Sequence, residues 1–170
     1  MLEPKIFADE RGYFYESYNA GKYSSLGIPE KFYQDNVSKS IKGTVRGLHY
    51  QIGDNAQGKL VSVLLGKVLD VAVDIRFGSP TFGKHHCIEL SSENKKQFWI
   101  PPGFAHGFSV LSDEAIFQYK CSAPYDQVNE RCIKFNDEHL AIDWKVENAV
   151  VSKKDLQGIN FKEIEKDFTY

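Results

Sequence analysis

The sequence predicts an all-β fold, a sandwich or barrel with a few short helices, from three observations. Apolar and polar residues alternate with a period of two in several segments, as they do in strands. Turn-forming Gly, Pro, Asn and Asp residues recur about every ten residues, which is typical of sandwiches and barrels. Aromatic residues, which favour strands, make up 14% of the chain.

The strongest alternation lies in residues 67–76, which we predict to be a strand with one dry face and one polar face. The dry face carries Leu69, Val71, Val73 and Ile75. A turn at 64–67 separates this strand from another at 59–65. Further short strands are predicted at 86–90, 97–100, 108–111 and 115–121.

Helix signals are weak and cover only residues 18–26 and 162–167. The chain has 170 residues and shows no internal repeat, low-complexity tract or linker. This length suits one hydrophobic core. We therefore expect a single domain spanning residues 1–170.

Charge and composition exclude several classes of protein. The net charge of −2 argues against nucleic acid as a partner, because phosphate binding needs a basic surface. No segment is apolar enough to cross a membrane, and the N-terminus lacks a signal pattern, so we expect a cytoplasmic protein without a membrane partner. Cys87, Cys121 and Cys132 are scattered, which indicates reduced thiols and neither a disulfide framework nor a zinc site.

Two motifs place a His beside Gly among polar residues. The first is residues 46–51 with His49, and the second is residues 101–108 with His106. A His is the first candidate for a proton acceptor, because its unperturbed pKa lies nearest neutrality. The remaining histidines lack such surroundings and are interpreted as structural or surface residues: His85, His86 and His139.

Two other chemistries, metal binding and nucleophilic catalysis, fit these motifs less well. Small β-barrels that bind a metal usually carry a His-x-His pair and a Glu a few residues later. His49 is followed by Tyr50, Gln51 and Ile52, so we expect no metal. No Ser or Cys stands in an elbow motif near either His, which disfavours nucleophilic catalysis.

Two further residues have both a functional and a structural interpretation. Lys59 is either a solvated surface residue or a fixed charge beside a developing oxyanion. Tyr119 is either an aromatic packed in the barrel or a general acid. A base, a cation and an acid around one cavity fit proton transfer next to a carbonyl, which needs no cofactor.

Several motifs occur in the order found in one known family. The sequence resembles the dTDP-4-dehydrorhamnose 3,5-epimerases of the dTDP-L-rhamnose pathway, from Leu2 to about Gly158. The matching runs are residues 7–17, 34–38, 46–51, 57–61, 70–74, 99–108 and 119–121.

The resemblance implies a double-stranded β-helix, that is, a cupin-like jelly-roll barrel, which acts as a homodimer without metal or cofactor. It also implies a substrate, dTDP-4-dehydro-6-deoxy-D-glucose. Inversion at C3 and C5 of this nucleotide sugar gives dTDP-4-dehydro-L-rhamnose, a precursor of cell-surface polysaccharide.

The resemblance also implies roles for individual residues. His49 would be the base, Tyr119 the acid, Lys59 the neighbour of the C4 oxygen, and Asp155 the carboxylate that orients and polarises the His. Tyr125 would stack on thymine, and Glu16 and Gln34 would come from the partner subunit. The implied substrate-binding residues are Arg11, Glu16, Gln34, Asp35, Asn36, Arg46, Lys59, His106, Tyr125, Glu130 and Lys154.

The sequence departs from the family pattern at three places. The family usually has another strand's worth of residues before Met1, so edge protection and dimer packing stay open at this point. Pro124 stands where the family often has a second Tyr, which bears on the stacking residue. The segment after Asp155 is short and charged, and we assign it no role.

The spacing of Arg46 and His49 makes a geometric prediction. These residues are three positions apart, so a regular strand would aim them at opposite faces. If both line one pocket, the strand must be irregular or must end between them. We predict a bulge or kink near Gly47, because Gly tolerates the required backbone conformation.

Two other functions remain open from sequence. One is epimerisation at C3 or C5 alone, or ketoisomerisation of a related nucleotide sugar, although Tyr119 favours the double epimerase. The other is a non-catalytic or metal-binding cupin, such as a sugar-sensing module. That protein would lack the set of His49, Lys59 and Tyr119, or would carry more His ligands.

Overall fold

A computed structural model describes residues 1–29 and 31–170. In this part of the chain the strands are β1 (Ile6–Asp9), β2 (Gly12–Tyr15), β3 (Gln34–Ile41), β4 (Thr44–Gln51), β5 (Lys59–Leu65), β6 (Lys67–Asp74), β7 (His85–Ser91), β8 (Gln97–Ile100), β9 (Phe104–Val110), β10 (Glu114–Cys121), β11 (Glu130–Cys132) and β12 (Val150–Val151). The helices are α1 (Ala20–Ser24), α2 (Lys153–Leu156) and two 3₁₀ turns, Gly53–Asn55 and Phe161–Glu163.

Two sheets form the body of the fold. One has the strand order β3-β10-β5-β8, and the other has the order β11-β4-β9-β6-β7, with the short β12 parallel to β4. Apolar side chains from both sheets meet in one cluster, so the sheets pack face to face. The predicted all-β barrel with a few short helices is confirmed.

A second apolar cluster lies on the outer face of the larger sheet. There the C-terminal segment covers the sheet with Leu140, Trp144 and Phe161. Val71 and Val73 of β6 pack into this outer cluster, whereas Val68 and Ala72 pack inside the barrel. The prediction of one dry face and one polar face for this strand is therefore wrong in one respect. Both faces are buried, and the polar face is the barrel interior.

Most predicted strands are present, with shifted ends. The strands at 59–65 and 97–100 are confirmed, and the strand predicted at 108–111 begins earlier, at Phe104. The strand predicted at 67–76 ends at Asp74. The reason is that the Asp74 carboxylate accepts hydrogen bonds from the backbone N–H of Arg76 and the hydroxyls of Ser79 and Thr81, which turns the chain.

The helices are shorter than the sequence indicates. The helix predicted at 18–26 spans only Ala20–Ser24, and the helix predicted at 162–167 is limited to a 3₁₀ turn at Phe161–Glu163. The structure adds α2, whose first turn is capped by the Ser152 hydroxyl accepting from the Asp155 N–H at 3.1 Å. Among the described residues no helix combines the length and apolar character needed to span a membrane.

The predicted irregularity in β4 is confirmed. The register with β9 shifts between Arg46, which faces Phe108, and His49, which faces His106. Residues directly opposite in an antiparallel pair share a face, so Arg46 and His49 both lie on the inner face of the sheet, where Arg46 stays exposed to solvent. Gly47 has a φ of +120°, and a Cβ there would lie 2.6 Å from the Gly107 Cα. Only Gly fits this position.

The β1–β2 hairpin stands apart from both sheets. Its two strands pair only with each other in the described chain. Its aromatic side chains are unusually accessible, with 53% of Phe7, 58% of Tyr13 and 69% of Phe14 exposed. An isolated two-stranded hairpin is only marginally stable in water, so we expect its exposed apolar surface to pack against a partner.

Candidate active site

One pocket opens into the barrel between the two sheets. Its walls come from β3, β4, β5 and β10 and from the segment that follows β10. The lining residues are Gln34, Asn36, His49, Tyr50, Gln51, Gln57, Lys59, Tyr119, Tyr125 and Glu130. The pocket therefore collects the candidate base, cation and acid from three separate strands.

A hydrogen bond joins His49 to Asp155 inside this pocket. Pairing of β12 with β4 brings the following helix α2 to the site, and with it Asp155. The distance from His49 Nε2 to Asp155 Oδ1 is 2.7 Å, and the Gly47 N–H donates to Oδ2 at 3.2 Å. The carboxylate is buried, with 3% of the residue exposed.

The ionisation of Asp155 fixes the tautomer of His49. Burial acts to raise the pKa of Asp155, but the hydrogen bond and charge of His49 and the Gly47 N–H outweigh it, so the pKa lies below its usual value. A carboxylate only accepts hydrogen bonds. His49 therefore donates from Nε2, and Nδ1 carries the lone pair that accepts a proton.

Lys59 begins β5 and places its ammonium group at the pocket. The Nζ atom lies 6.0 Å from the centre of the Tyr119 ring and forms no ion pair with any described residue. Burial lowers the pKa of Lys59, while Cys121, Asp70 and Glu130 act against this shift. A desolvated cation without a direct counter-ion is well suited to stabilise an oxyanion that develops on a substrate.

Tyr119 lies on β10, between Asn36 of β3 and Val61 of β5. Its ring packs against Phe117 at 6.0 Å, and the side chain also reaches the pocket. Burial raises the pKa of Tyr119, although the charge of Arg46 acts against the shift. The phenol thus keeps its proton over the neutral range and is able to donate it.

A second His–Asp pair lies behind the pocket, inside the barrel. His106 Nε2 is 2.9 Å from Asp70 Oδ2, and the imidazole stacks on Phe117. Burial lowers the pKa of His106, and Asp70 acts in the opposite direction. His106 does not line the pocket itself. Asp70 was not predicted as a site residue, although it is one of the polar residues on its face of the strand predicted at 67–76.

The rim of the pocket is a linked set of polar groups. The Tyr125 hydroxyl donates to Glu130 Oε2 at 2.8 Å, and the ammonium group of Lys154 pairs with the same oxygen. Gln34 Oε1 accepts from the backbone N–H of Tyr125 at 2.9 Å. Burial acts to raise the pKa of Glu130, but its bonds to Lys154 and Tyr125 outweigh this and lower it.

Several residues that the resemblance assigned to binding lie outside the pocket. Asp35 points to the opposite face of β3 from its neighbours and pairs with Lys120 at 3.0 Å. Arg46 reaches away to the Ser40 hydroxyl at 3.1 Å. Arg11 and Glu16 are on the hairpin side of the chain, where their charges pair locally, with Asp9 and Lys22 respectively. Gln34, which was expected from the partner subunit, lines the pocket of its own chain.

Two glutamines of the pocket were not predicted. The Gln51 side chain donates to the Pro124 carbonyl and accepts from the Asp126 N–H, and Gln57 donates to the Ala123 carbonyl. These hydrogen bonds hold in place the segment that carries Tyr125. The segment includes Pro124, where the sequence departs from the family pattern. Both glutamines lie in the motifs that contain His49 and Lys59, so the sequence of those motifs could have identified them as pocket residues.

Comparison with known proteins supports the resemblance. The sequence profile of the dTDP-4-dehydrorhamnose 3,5-epimerase family matches residues 1–163. A dTDP-4-dehydrorhamnose 3,5-epimerase of Shigella flexneri is 54% identical over 95% of this chain and 90% of the relative. A crystal structure of dTDP-6-deoxy-D-glucose-3,5-epimerase from Legionella pneumophila, in complex with dTDP-4-keto-L-rhamnose, is 54% identical. It has a TM-score of 0.95 and covers 99% of this chain and 91% of that chain. A dTDP-4-dehydrorhamnose 3-epimerase of Streptomyces niveus is 35% identical over 93% of this chain and 77% of the relative.

The likeness extends over nearly the whole chain and includes both sheets of the barrel. The expected jelly-roll fold is therefore confirmed together with the resemblance. The chain belongs to the dTDP-4-dehydrorhamnose 3,5-epimerase family of isomerases.

Proposed function

We propose that this protein epimerises dTDP-4-dehydro-6-deoxy-D-glucose at C3 and C5 to give dTDP-4-dehydro-L-rhamnose, without a cofactor. The observation that carries the proposal is the pairing of His49 with Asp155 in the same pocket as Lys59 and Tyr119. These groups match the needs of proton transfer beside a ketone: a base, a cation for the enolate and an acid.

The chemistry follows from the position of each group. His49 Nδ1 removes the proton from the carbon next to the C4 ketone, and the Asp155 carboxylate stabilises the imidazolium that results. The electron pair moves onto the C4 oxygen, where Lys59 stabilises the enolate. Tyr119 then delivers a proton to the opposite face of the carbon. Positioned acids and bases of this kind contribute about 10²- to 10⁴-fold to a rate.

The nucleotide is proposed to occupy the rim. Tyr125 offers an aromatic face for thymine, half-exposed at the mouth of the pocket. Lys154, already paired with Glu130 beside it, and Arg46 supply positive charge for the diphosphate. Glu130 and Asn36 line the pocket and would complete the contacts to substrate, while His106 would support the site from behind the pocket.

We infer a homodimer from the hairpin. Arg11 lies between β1 and β2 and Glu16 just after β2, and neither residue lines the pocket of its own chain. The hairpin exposes Phe7 and Phe14, and the edge strand β3 exposes 63% of Val37 and 62% of Ile41. Docking of the hairpin on a second copy would bury this apolar surface and would bring Arg11 and Glu16 to the partner's pocket.

We further propose that the chain acts as one domain in the cytoplasm. The barrel cluster and the outer cluster share β6, so the two cores are joined by one strand. Cys87, Cys121 and Cys132 are all free, which suits a reducing compartment.

The direct test is turnover of dTDP-4-dehydro-6-deoxyglucose in D2O, followed by NMR. We expect deuterium at both C3 and C5 and formation of the L-rhamno product. Deuterium at C3 alone would instead support a single epimerisation, like that named for the Streptomyces niveus relative. Absence of exchange at both carbons would sink the proposal for this substrate.

A further inference from the structure

Cys132 lies beside the His49–Asp155 pair and has no part in the proposed reaction. It is directly opposite His49 in the antiparallel β11–β4 ladder. The next residue, Ile133, packs into the outer cluster, so Cys132 faces the other way, toward the pocket side. A ligand nitrogen of His49, the sulfur of Cys132 and a carboxylate oxygen of Asp155 all lie within 4.8 Å of one another.

These three atoms form the donor set of a small metal site. Imidazole nitrogen, thiolate sulfur and carboxylate oxygen are the ligands that Zn²⁺ takes in proteins, commonly three from the chain and one from water. Of the three residues, His49 also lines the pocket, and the pocket is the side from which water would supply the fourth ligand. The carboxylates of Asp155 and the nearby Glu130 place negative charge beside the Cys132 sulfur. The same negative charges favour a divalent cation that replaces the thiol proton.

We propose that His49, Cys132 and Asp155 form an inhibitory site for a thiophilic divalent cation such as Zn²⁺. Binding releases the Cys132 proton to solvent and forms bonds from the cation to sulfur, oxygen and one imidazole nitrogen. A neutral imidazole has one lone pair. Whichever ring nitrogen binds the cation, none is left to accept a proton from the substrate.

The proposed site discriminates between cations. Mg²⁺ prefers six oxygen ligands in octahedral geometry, and only Asp155 among the three residues offers oxygen. Zn²⁺, Cd²⁺ and Co²⁺ accept mixed nitrogen, sulfur and oxygen ligands. We therefore expect these three cations to bind and Mg²⁺ to have no effect at the same concentration.

Binding is tested without reference to activity, by titrating Co²⁺ into the untagged protein. We expect a thiolate-to-cobalt charge-transfer band in the near ultraviolet, lost in Cys132→Ala and Cys132→Ser and kept in Cys87→Ala. Cys87 is a suitable control because it is exposed on β7, away from the site. A wild-type protein without the band, or a band that persists in both Cys132 variants, would overturn the metal site.

Inhibition is tested by Zn²⁺ titration of turnover, with each variant compared with its own rate in EDTA. We expect the half-inhibitory Zn²⁺ concentration to rise at least about tenfold in Cys132→Ser and to stay unchanged in Cys87→Ala. EDTA should restore the wild-type rate. Equal inhibition of both variants, or equal inhibition by Mg²⁺, would contradict the proposal.

The inhibitory effect rests on the proposed role of His49 as base, whereas the cobalt band does not. A Cys132-dependent cobalt band without Zn²⁺ inhibition would show that the site binds metal but is not inhibitory. That result would overturn the proposed inhibitory role and would count against His49 as the base. Inhibition without the band would overturn the metal site and leave the proposed function intact.

Discussion

Among the individual residues, Lys59 places a buried positive charge in the pocket at a cost in folding stability. Its ammonium group is held in the pocket with no ion pair among the described residues, and burial lowers its pKa. The folded protein therefore binds this proton more weakly than the unfolded chain does. Below the folded pKa the charge costs stability, and this cost disappears as the pH rises above the usual lysine value of 10.5.

Replacing Lys59 by Met should separate the two effects. We expect Lys59→Met to lower kcat strongly, because the enolate loses its cation. We also expect about 1 kcal/mol of added stability, or about 2–4 °C in the midpoint of thermal unfolding at this chain length. Calorimetry at pH 7 checks the stability. A less stable and fully active variant would show that Lys59 is structural.

The alkaline limb of the pH profile should report Lys59. The lysine is needed in its charged form, so activity is lost as the pH rises through its lowered pKa, below 10.5. The pKa of Tyr119 is shifted the other way, because burial raises it from the usual tyrosine value, so the two groups move in opposite directions. We expect the limb in kcat/KM to persist in Tyr119→Phe and to move to higher pH in Lys59→Arg, since Arg stays charged. If the alkaline limb disappears in Tyr119→Phe, the titrating group is the phenol of Tyr119 and not Lys59.

In the proposed mechanism Asp155 acts on the substrate only through its hydrogen bond to His49. In Asp155→Asn the amide has the same shape but no charge to stabilise the imidazolium. We expect kcat to fall on the order of 10²- to 10⁴-fold, by analogy with the His–Asp pair of serine proteases, with little change in KM. Steady-state kinetics measure both constants. A rise in KM at unchanged kcat would instead place Asp155 in substrate binding.

At the scale of the element, the irregular strand β4 positions the site. The shift at Gly47 turns both Arg46 and His49 inward, and the Gly47 N–H binds the same carboxylate as His49. This conformation could be predicted from the spacing of Arg46 and His49 because strand geometry has a period of two.

A methyl group at Gly47 should disrupt the element. The backbone φ of +120° disfavours any other residue, and the added Cβ would approach the Gly107 Cα at 2.6 Å and the His106 carbonyl at 2.7 Å. We expect Gly47→Ala to cost about 2 kcal/mol or more in urea unfolding and to reduce activity. Gly78→Ala is the matched control, with a φ of +86° but open space around its Cβ. Equal losses in the two variants would mean that the close contact is unimportant.

Other elements could not be predicted from the sequence, for physical reasons. A helix of four residues such as α2 has no hydrophobic period to detect. Strand β3 lies at the edge of its sheet, and its apolar residues Val37 and Ile41 lie on the exposed face while polar residues face inward, which inverts the usual pattern. Alternation in β6 identified the two faces but could not tell a polar barrel interior from solvent. The contact of His49 with Asp155 joins positions 106 residues apart, and only the family resemblance linked them.

For the whole molecule, we propose that the exposed hairpin connects assembly to activity. If Arg11 serves the partner's pocket, each active site draws on two chains. A monomer would then keep His49, Lys59 and Tyr119 but lose part of its substrate-binding surface.

A charge in the hairpin should therefore block assembly. We expect Phe14→Glu to run as a monomer in sedimentation and to lose activity, since burying the charge is costly. Leu26→Glu, at an equally exposed apolar position outside the hairpin, should remain dimeric. A dimeric and active Phe14→Glu protein would refute the role of the hairpin.

Mixing two inactive variants tests whether the site is shared. Arg11→Ala damages the hairpin that a chain gives to its partner, and His49→Ala damages the chain's own pocket. In a mixed dimer one of the two sites has both parts intact, so exchange of subunits should restore on the order of a quarter of wild-type activity. An inactive mixture, with subunit exchange shown by mass spectrometry, would place Arg11 in its own chain's site.

We propose above that His49, oriented by Asp155, removes the proton beside the ketone. The most direct measurement is the rate of deuterium exchange at C3 and C5 by NMR in His49→Asn and Tyr119→Phe, compared with wild type. We predict that His49→Asn loses exchange at both carbons, whereas Tyr119→Phe keeps exchange but forms little epimerised product. Exchange at the wild-type rate in His49→Asn would contradict the claim.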